Sequence, residues 1–155
     1  MRITMLSHPL VTGRSEFYRA APVLKGISSD LMPEGKYLNL ILAGERKMAL
    51  LNRKYKKRKG PAEILTFSYS DDDNFSEGDS DLLGEIVLCW RSLSEGARSR
   101  NVSSEVYLIR LVIHGIFHLF GYTHLDNESA GKMEKAEKNY LLSLFDSEEV
   151  DKLFI

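Results

Sequence analysis

Three of the chain's four histidines fall in one short stretch, HGIFHLFGYTH, running from His114 to His124. His114 and His118 are an i, i+4 pair. On a helix this spacing puts both imidazoles on one face, with Cβ atoms about 6 Å apart. Two rings so placed can share one metal ion at about 2.0–2.1 Å per nitrogen. A helix that continued would rotate the next side chains away from that face. Gly121 supplies a stop three residues after His118. Tyr122 and Thr123 then carry the chain back, so that His124 can reach the same ion. Neutral imidazoles favour Zn2+, with copper, nickel and iron as compatible ions. Three protein ligands leave a tetrahedral ion one open position, the pattern of catalytic rather than structural zinc. One zinc ion on His114, His118 and His124 is the expectation.

The spacing HxxxHxxGxxH is also the ligand skeleton of metzincin proteases. Their fuller motif, HExxHxxGxxH, places a general-base glutamate after the first histidine. Here that position is Gly115, which carries no proton acceptor, so a role worth about 10²–10⁴-fold is missing. Two competing readings remain. One is a zinc peptidase with a distant base. The other is a non-catalytic factor whose metal only secures the fold.

A second feature is RKYKKRK, Arg53 to Lys59, basic at every position but Tyr55. Affinity for nucleic acid comes largely from such cations through counterion release. Alone, the run also fits a solvated helix end whose lysines suit the dipole. Beside a hydrolytic metal site it points to phosphate binding. SDDDNFSEGDSD, Ser70 to Asp81, is acidic and lacks the spacing of a calcium loop, so it reads as a solvated connector. Arg110, one turn before His114, needs a partner if buried and could face the cleft or form an ion pair. Cys89 reads as inert core. Trp90, Tyr69 and Phe67 could stack bases, but each reads better as core.

The elements that must position these groups follow from periodicity. RITML is a first strand, and EFYRAAPVLK a short helix broken near Pro22. KYLNLILAG is apolar on both faces, as in a strand covered on both sides. Met48, Leu51 and Tyr55 recur at helical spacing, which predicts a helix over about 45–56, ended by Gly60-Pro61. EILTFSY and LLGEIVLCW read as strands close enough to pair as a hairpin. A helix follows over about 91–99. VSSEVYLIRLVIHGIFHLFG is the strongest element. Ser103 or Ser104 caps it, Glu105 suits its positive end, and it is apolar almost all round, hence buried. A last helix covers about 128–145, with Met133, Ala136, Tyr140, Leu141 and Leu144 inward. The order predicts an α+β fold, a small mixed sheet packed with helices around a central metal-binding helix.

The length of 155 residues fits one domain, 1–155, with its own core. At 43% hydrophobic and 28% charged, the composition is that of a globular chain rather than a disordered one. A single cysteine excludes an intrachain disulfide and suits a reducing compartment. MRITMLSHPL has no signal-peptide pattern, and no apolar run is long enough to span a bilayer. A soluble cytoplasmic protein is expected.

With these segments assembled, the chain resembles the YbeY family of bacterial metal-dependent endoribonucleases. The family motif is close to HGxLHLxGYDH, and the chain reproduces His114, Gly115, His118, Leu119, Gly121, Tyr122 and His124. LNRKYKKRKGPAEILTFSY is similar to the family's LNxxYRxKDxPTDVLSFP through Leu51, Asn52, Tyr55, Pro61, Leu65 and Phe67. LGEIVL matches LGDIxI, and Glu128, Met133 and Glu134 follow the downstream pattern. The resemblance covers about residues 37–145 in order.

The resemblance implies a single-strand endoribonuclease acting in ribosomal RNA maturation, at the 3′ end of 16S rRNA, and in ribosome quality control. Its implied partners are RNA and the ribosome or its small subunit. The chain also departs from the pattern. Thr123 replaces an aspartate, leaving Asp126 or Glu128 as nearby carboxylates. Lys56 stands for arginine, Lys59 for aspartate, and Ala62-Glu63 for Thr-Asp. Lysine cannot make arginine's bidentate phosphate contact. Arg58 and Lys56 are therefore the candidate catalytic cations, placed to meet charge building on the phosphoryl oxygens.

Overall fold

The computed structural model describes residues 2–69 and 81–154. The acidic connector, but for Asp81, lies outside the described residues. Four strands form one sheet: β1 (Ile3–Ser7), β2 (Tyr37–Leu42), β3 (Ile64–Ser68) and β4 (Leu82–Leu88). Their order is β1-β2-β4-β3. β1 and β4 run parallel to β2, while β3 pairs antiparallel to β4 as the expected hairpin partner. The helices are α1 (Arg14–Arg19), α2 (Ala21–Leu31), α3 (Glu45–Leu51), α4 (Trp90–Ser99), α5 (Ser104–Leu119), α6 (Asn127–Leu141) and α7 (Ser147–Leu153). The fold is the predicted α+β class with a mixed sheet.

Register divides the sheet into two unlike faces. Leu38 and Leu40 of β2 align with Gly84 and Ile86 of β4, and Thr66 of β3 with Ile86. Because side chains alternate, Leu38, Leu40, Leu42, Ile86 and Leu88 share one face. They are buried in a core with α2, α4, α5 and α6. The other face carries Leu65, Phe67, Ile41, Val87 and Glu85. There a smaller cluster forms around Met48 of α3 with Leu65, Val87 and Cys89. Cys89 is buried, as expected of an inert core thiol.

The structure keeps the predicted break near Pro22 and departs from the predicted elements at the ends of two helices. α1 ends at Arg19 and α2 begins at Ala21, with Pro22 in its first turn, where its missing N–H costs nothing. The helix over 45–56 changes character at Asn52, and Asn52–Lys56 form a π-helical turn ended by Lys57 at φ 57°. Tyr55 consequently leaves the buried stripe and is exposed. The last predicted helix stops at Leu141, and Leu144 faces solvent at 39% exposure rather than the core. Beyond it, Asp146 caps α7 by accepting from Glu149 N at 2.9 Å. Val150 and Leu153 of α7 close the core.

α5 lies at the centre. Ser103 caps it through Val106 N at 3.1 Å. It is buried nearly all round, from Tyr107 to Leu119. The exceptions past its first turn are Arg110, His114 and His118, spaced four apart and so forming one polar stripe on an apolar helix.

Candidate metal centre

α5 ends in a Schellman motif. Tyr122 N donates to Phe117 O at 3.1 Å, and Gly121 N donates to His118 O at 3.0 Å. Gly121 takes φ 94°, a left-handed conformation that favours glycine. The usual apolar contact across such an end is Tyr122 packed edge-on against Phe117, ring centroids 5.3 Å apart. This turn swings His124 over the two helical histidines. Its ring stacks on His114 at 5.9 Å and meets His118 edge-on at 4.9 Å. Gly121→Ala is expected to destabilise the fold by about 1–2 kcal/mol through left-handed strain. It should also weaken metal affinity by displacing His124, which thermal unfolding and a metal titration would read.

One ligand atom from each of His114, His118 and His124 lies within 4.8 Å of the others. The hydrogen bonds around the rings say which atoms those are. His114 Nδ1 donates to Glu137 Oε1 at 2.5 Å, and His118 Nδ1 donates to the Tyr122 carbonyl at 2.9 Å. A carbonyl and a carboxylate accept, so both Nδ1 atoms hold the proton. A ring so oriented presents Nε2 toward the other histidines, with a lone pair there in its neutral form. The two Nε2 atoms are 3.0 Å apart. Two lone pairs at that distance repel unless a proton or a metal cation lies between them. Bonds of about 2.0–2.1 Å at tetrahedral angles would set the nitrogens about 3.3–3.4 Å apart. The trio therefore fits a metal ion. Burial, and next the neighbouring His114, push the His118 pKa below its ordinary value. His118 is thus a neutral ligand at neutral pH.

Glu137 was not legible as part of the site. It is 2% exposed, on the inner stripe of α6 between Met133 and Leu141. Its signal in the sequence was its position four residues from both. A carboxylate on an apolar stripe needs a partner, and His114 is that partner. Asp126 and Glu128, the suggested replacements for the aspartate at Thr123, do not join the cluster. Asp126 caps α6 by accepting from Ser129 N at 2.7 Å. That bond is the main cause that holds its carboxyl below the usual range. Glu128 is exposed and pairs with Lys132 at 3.5 Å.

Gly115 explains why no glutamate follows His114. A Cβ there would lie 2.7 Å from Ile86 Cδ1 and 3.3 Å from Ile64 Cδ1. The position is packed against the sheet, so α5 can approach β3 and β4 only because it has no side chain. Gly115→Ala is expected to cost about 1–3 kcal/mol by overpacking, measured as a shift of the denaturation midpoint. Arg110 lines a cavity with Glu134, Glu137 and Phe154 that none of the three histidines lines. Its guanidinium lies 4.8 Å over the Phe154 ring, a cation–π contact in place of the suggested ion pair.

The basic run is exposed along its length. Buried Asn52 holds its turn, donating from Nδ2 to Gly60 O at 2.9 Å and accepting from Arg58 N at 3.3 Å. Arg58 lines a cleft of about 780 Å³ with Arg46, Arg53, Lys57 and Lys59. The sequence reading omitted Arg46 from this group. Lys56 is exposed on the same turn but is not part of the cleft wall. None of the three histidines lines that cleft. The chain runs from the basic turn into β3, whose Ile64 lies under Gly115 of α5. The edge strand β3 thus separates the cationic element from the metal helix. Trp90 packs against the main core, as expected. Phe67 and Tyr69 do not read as pure core, since both line a groove on the α3 side of the sheet.

The endoribonuclease YbeY family model matches residues 19–144. An endoribonuclease YbeY from Nitrosomonas eutropha is 35% identical over 103 residues, covering 66% of this chain and 68% of that protein. One from Buchnera aphidicola is 34% identical over 112 residues, 70% of each. One from Fusobacterium nucleatum is 31% identical over 107 residues, 69% of this chain and 66% of that protein. The solution structure of a Thermotoga maritima protein superimposes with a TM-score of 0.61 at 26% identity, covering 98% of this chain and 89% of that one. The histidine trio, the strand–helix scaffold that presents it and these relatives agree: the chain belongs to the endoribonuclease YbeY family.

Proposed function

We propose that the chain is a zinc-dependent endoribonuclease that cuts single-stranded RNA. Ribosomal RNA, at the 3′ end of 16S rRNA, is its proposed substrate, and the small ribosomal subunit its proposed place of action. The observation that carries the reading is the convergence of three imidazoles, with the Nε2 atoms of His114 and His118 3.0 Å apart and His124 closing over them. A zinc ion held there would lower the pKa of a bound water to about 7 and would polarise a phosphoryl oxygen.

The chain's own residues do the rest. His114, His118 and His124 hold the ion, and Glu137 fixes the His114 tautomer. Arg58 and Lys56, on the turn feeding β3, meet the phosphate charge, Arg58 with the bidentate geometry that lysine lacks. The peptidase reading loses support at Gly115, where the packing of Ile86 and Ile64 leaves no room for a base.

The test is metal content and cleavage measured together. Purified protein should carry one zinc per chain and cut a single-stranded RNA ending in the 16S 3′ sequence, leaving duplex RNA and unfolded protein intact. Chelation should stop cleavage, and added zinc should restore it. Cleavage that survives complete metal removal, or hydrolysis of the protein substrate instead, would overturn the proposal.

A further inference from the structure

On the sheet face away from the histidines, α3 covers only part of β2, β3 and β4. A groove of about 540 Å³ opens there, walled by Ile41, Tyr55, Phe67, Tyr69, Glu85 and Val87. Its size lies within the range of about 300–1,000 Å³ for small-ligand sites. Tyr55 and Phe67 meet edge to face with centroids 5.2 Å apart, and Tyr55 is 53% exposed. Lys54 Nζ lies 5.2 Å over the Tyr55 ring. Glu85 and Lys47 are the charged groups of the wall, beside the hydroxyls of Thr66 and Ser68. The Glu85 oxygens accept from the Tyr69 hydroxyl and, at 3.2 Å, from Asn39 Nδ2. A carboxylate has about four acceptor positions, so these two donors leave capacity for a ligand. Burial, and then donation to Glu85, push the Tyr69 pKa above its ordinary value, which keeps the hydroxyl a donor.

We infer that this groove is a nucleobase subsite, in which one base of the bound RNA strand stacks on Tyr55 and Phe67 and gives an exocyclic amino group to Glu85. The inference rests on the RNA-binding part of the reading above. Charge sets the orientation of the ligand. Glu85 repels phosphate and accepts from amino groups, so the part of the groove it lines takes a base, and Lys47, the cation in the groove wall, is the group that suits a phosphate. The other cations stand outside, at Lys54 and in the Arg46–Arg53–Arg58 cleft on the other flank of the same helix and turn. Position links the groove to the metal centre. Ile64 of β3 lies under Gly115, beside His114. Phe67 is three residues along the same strand, a displacement of about 10 Å, on the opposite face. A single strand crossing the free edge of β3 could therefore place a phosphate at the metal and a base in the groove.

The subsite also implies a base preference. Cytosine presents N4–H₂ as a donor, whereas uracil presents O4, an acceptor that a carboxylate repels. Binding of oligocytidylate and oligouridylate, measured by fluorescence anisotropy at fixed salt, is the test. Wild type should favour oligocytidylate by about 5–50-fold. Glu85→Gln, whose amide both donates and accepts, should narrow that ratio to about twofold or less. Tyr55→Ala should weaken both strands by about 5–100-fold through lost stacking, and Tyr55→Trp should restore binding. Circular dichroism and metal content of each variant verify its fold. An unchanged ratio in Glu85→Gln, no ratio in wild type, or unchanged affinity in Tyr55→Ala would each overturn the subsite. Zinc-loaded wild type that binds RNA without cutting it would instead remove the catalytic reading, with the binding ratios still deciding the subsite. Wild type that binds neither strand would overturn both.

Discussion

His114→Ala is expected to strip the chain of zinc and to lower single-strand RNA cleavage by about 10³-fold or more. The metal's charge stabilisation is worth several kcal/mol, and each 1.36 kcal/mol is about tenfold in rate. Two imidazoles remain, but the pair on α5 that sets the geometry is gone. The variant has a structural cost as well. Glu137 is 2% exposed, and the ring removed is its partner. Leaving that buried carboxylate without its donor costs about 1–3 kcal/mol or more. His124→Ala separates the two effects, because His124 is exposed. It should lose zinc and cleavage to a similar degree while keeping the unfolding midpoint of the metal-free wild type. Zinc per chain, cleavage rate and denaturation midpoint are the three measurements. Full cleavage by a folded, metal-free His124→Ala would remove the trio from the chemistry.

Glu137→Ala should weaken zinc binding by about 10–100-fold, the usual effect of removing the group that orients a ligating histidine. The reason is the tautomer. With Glu137 gone, nothing obliges His114 to hold its proton on Nδ1, and a ring protonated at Nε2 cannot ligate through that atom. The buried Nδ1–H would also lose its acceptor, at a cost of about 1–3 kcal/mol. Glu137→Gln keeps an accepting oxygen at the same place, so it should recover most of the affinity. Competition titration with a chromophoric chelator reads the affinity directly. Thermal unfolding gives an independent check. At a fixed saturating zinc concentration, stabilisation follows the ratio of zinc to its dissociation constant, so Glu137→Ala should lose about 1.4–2.7 kcal/mol of it. Equal affinities in Glu137→Ala and wild type would mean that the ring orientation is set elsewhere, by the Schellman turn alone.

The metal trio and its scaffold were legible for local reasons. An i, i+4 pair shares a helix face because of the helical repeat. Gly121 ends the helix because a left-handed residue satisfies the last carbonyls. Strand alternation at Tyr37–Leu42 and Leu82–Leu88 and the apolar surround of α5 likewise follow from the period of the backbone. The misplaced elements failed where a local rule had a competitor. Tyr55 followed helical spacing, but the π-helical turn at Asn52 changed the period and put it at the surface. Leu144 continued the stripe of α6 past its actual end, and α7 supplied the closing apolar residues instead.

By itself, the amino-acid order determined the three imidazoles, the glycine that turns the third back onto the first two, the cationic run and the α+β class. Each depends on neighbours within a few residues, whose relative positions backbone geometry dictates. Only the tertiary structure decided that Glu137 of α6 would orient His114. It also decided that Gly115 would be a packing contact with Ile86 and Ile64. The strand order β1-β2-β4-β3, with β3 at the edge between the basic turn and α5, was settled at the same level. These are encounters between segments far apart in the chain. They are chosen by which apolar surfaces can be buried together, and no periodicity within a single segment records that choice.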